Sequence, residues 1–105
     1  MNLTPEDKNE LESILLIVTN QIPNYFNLIN PSKNDWEIEN VEDCVFGMVF
    51  NSFVSKSTEY LKNMIIDKNP ESNLDSNLDY FETTINFFNA KIPHIKQAIV
   101  AVSQS

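Results

Sequence analysis

A chain of 105 residues with 15 acids and seven bases, all lysine, carries a formal net charge of −8. Its length fits one domain, and 33 residues of Leu, Ile, Val and Phe stand well above the ~20% share below which charged chains stay disordered. One glycine, one cysteine and one histidine exclude glycine-rich phosphate loops, an intramolecular disulfide, cysteine zinc sites and paired-histidine metal sites.

The first helix signal is Thr4-Pro5-Glu6-Asp7: a capping hydroxyl, a proline at the first helical position, and two acids against the positive end of the dipole. Leu11, Leu15, Val18 and Ile22 then recur at spacings of four, three and four, and the rhythm continues past Pro23 to Tyr25 and Ile29. The unbroken register favours a kink at Pro23 over a break. Asn30-Pro31-Ser32 closes the segment, and 31–35 reads as a polar loop. Trp36-Glu37-Ile38 is expected to be extended or a short turn, with Trp36 packed onto the helices.

Asn40-Val41-Glu42-Asp43 is a second capping signature. Phe46, Phe50, Phe53, Ser57, Tyr60 and Met64 form one stripe of the helix that follows, and Val45 and Val49 lie beside it. A segment this apolar on most sides belongs in the middle of a structure. Residues 67–73 are polar and contain Pro70, which predicts a loop. Leu74, Leu78, Phe81, Ile85, Phe88, Ile92, Ile95, Ile99 and Val102 then keep four-three spacing for four heptads. Pro93 interrupts the hydrogen bonding but not the register.

The expected fold is therefore all-α: a single helical domain over 1–105, an antiparallel bundle of three long helices at about 5–29, 41–66 and 74–102. Pro23 and Pro93 are read as kinks, and if they break the chain instead, four or five shorter helices result. Helices of this length make a narrow rod with much apolar side surface, which favours a homodimer.

The chemistry-bearing residues give few leads. The stretch 67–78 places oxygens like a calcium loop but has Ser72 where the turn glycine belongs and Leu78 where the bidentate carboxylate belongs. Cys44 sits in a first helical turn beside Glu42 and Asp43, which oppose a thiolate. His94 has no nucleophile or second base at a fixed spacing. No catalytic residue, cofactor or metal is expected, and the chain is read as a non-enzyme.

Binding is the remaining class. Lysine without arginine on an acidic chain argues against direct contact with nucleic acid, and the charge is repelled by anionic membranes. No unbroken apolar run exceeds that of Ile14–Val18, against the ~20 residues that span a bilayer, and the acidic start is no export signal, so the cytoplasm is expected. Phe26, Trp36 and Phe87 fit the apolar seams least well and are the candidate partner-binding aromatics. The first 43 residues hold nine acids against two lysines, and Glu37 and Glu39 are the candidate acidic rim.

The leading expectation is a helical interaction or regulatory module that binds a protein partner or a second copy of itself. One alternative is an acidic inhibitor that mimics nucleic acid towards a basic protein. Another is a pocket protein whose aromatic walls hold a small molecule.

Overall fold

The computed structural model describes residues 2–68 and 79–105, and every regular element among them is helical. Helix α1 spans Pro5–Thr19, α2 Ile22–Ile29, α3 Val41–Lys68 and α4 Asp79–Ser103, with a 3-10 turn at Asn30–Ser32. Leu74, Leu78 and the calcium-like stretch beyond Lys68 lie outside the described residues.

The start of α1 forms as its sequence dictates. The Thr4 hydroxyl accepts the Asp7 N–H at 3.0 Å, and the Asp7 carboxylate accepts the Thr4 N–H at 3.3 Å, a reciprocal capping box. In the same way, the Asn40 side chain accepts the Asp43 N–H at 3.0 Å and starts α3.

Pro23 breaks the helix where a kink was expected. Helix α1 stops at Thr19, the Gln21 N–H closes a tighter turn onto the Val18 carbonyl at 3.0 Å, and α2 begins at Ile22. Pro23 thus falls in the first turn of α2, where a missing N–H costs no intrahelical bond. The apolar rhythm survives because Asn20 and Gln21 both keep right-handed helical backbone angles. Leu11, Leu15, Val18, Ile22 and Ile29 are accordingly all buried. Pro93, by contrast, lies inside the continuous helix α4.

The segment after α2 ends in a reverse turn. The Ile38 N–H donates to the Lys33 carbonyl at 2.8 Å and the Glu37 N–H to the Asn34 carbonyl at 3.2 Å. These are the two bonds of a Schellman motif, whose left-handed position normally takes glycine. Here Glu37 occupies it at φ 55°. The turn carries Trp36 outward, 56% exposed, so the expectation that it packs onto the helices is corrected.

Helix α3 packs against α1, α2 and α4 and is the central element, as its nearly all-round apolar sequence implies. Tyr25 donates to the Ser52 hydroxyl at 3.1 Å, and Tyr60 to the Asp7 carboxylate at 3.1 Å, so the chain of α1 and α2 runs counter to α3. The deepest stripe of α3 is Val45, Val49 and Phe53, fully buried, whereas Phe46 and Phe50 are half-buried at its flank. Short branched side chains suit the closest helix approach, and rings fill the wider seam beside it. The molecule measures 49 × 26 × 18 Å, with a radius of gyration of 15.9 Å. A compact chain of this size would have ~13 Å, so the rod expected from the helix lengths is present.

Two small polar side chains are fully buried. Thr84 donates its hydroxyl to the Tyr80 carbonyl at 2.8 Å. Among the described residues the Ser57 hydroxyl finds no partner. Removing an unsatisfied hydroxyl, and gaining helix propensity, should make Ser57→Ala more stable by about 1 kcal/mol. Thermal unfolding followed by circular dichroism reads this as a rise in Tm of ~4–8 °C; a fall would mean that the hydroxyl is bonded.

Candidate interaction surface

Helices α1 and α4 approach each other less closely than either approaches α3. Between them a groove of about 540 Å³ is lined by Glu12, Leu15, Leu16, Lys91 and His94. A second hollow, of about 580 Å³, follows between the same helices, with Leu3, Lys8 and Phe87 on its walls. Across the groove Lys91 meets Glu12 at 2.6 Å, a solvent-exposed pair of the kind worth about 0.2–1 kcal/mol. The Lys91 ammonium also lies 5.4 Å from the Phe87 ring centroid.

Leu16 and Ile17 stand on the outer side of α1, 61% and 55% exposed. Their exposure was not legible as a stripe, yet the sequence held a signal. The run Ile14–Val18 puts five large apolar residues in succession, and a helix turning 100° per residue cannot point all of them to one side. Ile14, Leu15 and Val18 take the core, which leaves Leu16 and Ile17 in solvent.

The candidate aromatics separate in space. Phe26 is buried and belongs to the core. Phe87 is half-buried, stacked on Phe53 at 5.8 Å and 16°. Trp36 is the only one of the three that stands exposed. Glu37 sits beside it at the left-handed turn position. Glu39 instead borders a cleft of about 690 Å³ at the start of α3, shared with Phe26, Lys33 and Glu42. Phe26 and Glu39 thus meet at one cleft, Trp36 and Glu37 share a turn, and Phe87 lies on the α1–α4 groove.

The remaining reactive groups stay apart. Cys44 is free and half-buried in the first turn of α3, and His94 is exposed on α4. Among the described residues no three His, Cys, Asp or Glu side chains gather as metal ligands, and no helix is long and apolar enough to cross a membrane. Burial raises the Tyr60 pKa above its ordinary value, and the hydrogen bond to Asp7 and the charges of Asp7, Glu10 and Glu6 raise it further.

No family model, curated protein or solved structure matches this chain.

Proposed function

We propose that this chain is a non-enzymatic interaction module of the cytoplasm, an antiparallel helical bundle that works as a homodimer through apolar side chains it leaves in solvent. The observation that carries the reading is the set of large apolar side chains on the half of the molecule built by α1, α2 and the turn after them. Leu16, Ile17, Leu28 and Trp36 are each more than half exposed on a chain whose other surface is rich in acids and asparagines. Single exposed apolar residues are normal on a surface, and the successive pair Leu16 and Ile17 is what sets this surface apart. The acidic surface keeps the chain soluble and selects against acidic partners.

Molar mass measured by light scattering across a wide concentration range, at low and at high salt, tests this. A mass near twice 12.1 kDa that persists at high salt is expected, because apolar contacts are not screened. A mass that stays at 12.1 kDa, together with a basic protein bound at low salt and released at high salt, would replace this reading with that of an acidic mimic.

A further inference from the structure

We infer that the cleft at the start of α3 binds a free basic amino acid of the L-lysine type, a small molecule with one carboxylate and two cationic groups on an aliphatic chain. The inference goes beyond the homodimer reading and holds whether or not the chain pairs. The cleft has a volume of about 690 Å³, within the range of small-molecule sites. It forms where α2, the turn after it, the start of α3 and the end of α4 come together. Phe26, Val41 and Val102 supply its apolar surface, the phenylalanine buried and the two valines half-buried.

The charges of the cleft select the ligand. Lys33, Glu39 and Glu42 all border it, yet among the described residues none of the three is in an ion pair. One ammonium and two carboxylates around a single hollow, unpaired with each other, are each open to a charged guest. Two cationic groups and one carboxylate on the guest match them group for group. The guest's carboxylate goes to Lys33, its two ammonium groups go to Glu39 and Glu42, and its methylene chain rests on the apolar surface. Phosphates and dicarboxylates meet two acids for one lysine and are repelled. Diamines satisfy the acids but are opposed by Lys33. Neutral amides complete the site. The Asn27 and Asn30 side chains border the cleft and make no hydrogen bond among the described residues. Asn40 spends its side-chain oxygen on the Asp43 N–H, which leaves its NH2 group to donate.

Titration calorimetry on the full chain measures the affinities, and amide NMR locates the site. L-lysine should shift the side-chain amides of Asn27, Asn30 and Asn40 and saturate. Cadaverine, the same chain without the carboxylate, and L-norleucine, which lacks the side-chain ammonium, should each bind roughly threefold more weakly or worse, the scale of one exposed ion pair. Lys33→Glu should reverse the order and favour cadaverine over L-lysine, because three acids then face the two ammonium groups. Lys33 is exposed, so this variant leaves the core intact, and helical circular dichroism confirms that it is folded. Cadaverine that binds the wild type as well as L-lysine does would reduce the effect to attraction of cations by an acidic surface and overturn the proposal. An order unchanged in Lys33→Glu, or shifts confined to residues away from the cleft, would overturn it too. So would a lack of response at ~10 mM L-lysine, where even a ligand of ~1 mM affinity is close to saturation. Nα-acetyl-L-lysine that binds as well as the free amino acid would assign the cleft to the C-terminal lysine of a peptide instead.

Discussion

Phe88→Ala should cost about 3–5 kcal/mol, the range for emptying a fully buried phenylalanine. Phe88 is 1% exposed and is the ring around which the seam between α3 and α4 is organised. Phe46 and Phe50 meet it edge to face, with centroids at 5.6 and 5.0 Å, and Phe53 lies tilted against it at 5.7 Å. Each such pair adds to the area buried because ring edges are positive and ring faces negative. Truncation removes all three contacts at once and leaves a hollow that three rigid rings on one helix cannot refill. A domain of this size holds on the order of 5–15 kcal/mol in total, so a large share of its stability is lost. Denaturant unfolding measures the loss. Phe81→Ala, on the same helix but at a ring 47% exposed, should fall within about 0.5 kcal/mol of the wild type. Phe88→Leu gives a folded comparison if the alanine variant does not fold. Equal effects at Phe88 and Phe81 would mean that the ring cluster does not hold α4 in place.

Asp7→Ala carries the second large effect, about 2 kcal/mol of destabilisation. The carboxylate closes the capping box with Thr4 and also accepts the Tyr60 hydroxyl, tying the first turn of α1 to the far part of α3. A lost cap costs ~1 kcal/mol, and a hydrogen bond to a charged group is worth ~1.5–3 kcal/mol before relief of the carboxylate's desolvation is set against it. The same pair has a pH signature. Tyr60 has its pKa raised by burial first, and then by Asp7. Below pH ~10 the phenol is protonated in both folded and unfolded chains, and its contribution is fully present. As the pH rises through that value towards the raised folded pKa, the unfolded chain releases its proton first and stability falls. Tyr60→Phe should flatten this alkaline limb, and ultraviolet titration should show a late-ionising phase that the same variant removes. A limb of unchanged slope in Tyr60→Phe would assign it to other groups.

The helices themselves are local events. Thr4 and Asn40 act within one turn of their own position, and the acids that follow them favour the same ends. The four-three spacing of Leu11, Leu15, Val18 and Ile22 needs no knowledge of the partner helix to show which side turns inward. Pro23 shows the limit of this logic. A run of right-handed residues preserves apolar register whether or not the hydrogen bonds continue through it, so register alone could not separate a kink from a break. Trp36 shows another limit, since a Schellman turn closed on a glutamate carries the indole away from the helices, and no rule of composition favours glutamate there.

The candidate surface was less legible than the fold. Phe26, Phe87 and Trp36 were alike as aromatics off the main stripes, yet one is in the core, one is half-buried against Phe53 and one is in solvent. Leu16 and Ile17 carried a signal only in surplus, as apolar residues too numerous for one side of a helix. By itself the sequence determined the helical class, the helix starts at Thr4-Pro5 and Asn40-Val41, the charge and the lack of several glycines or paired histidines, because each depends on residues within a turn or two, or on composition alone. Tertiary structure decided that Asp7 finds Tyr60 53 residues away and that a groove remains between α1 and α4. These depend on which faces meet across the molecule, and several packings bury the same heptad stripes equally well.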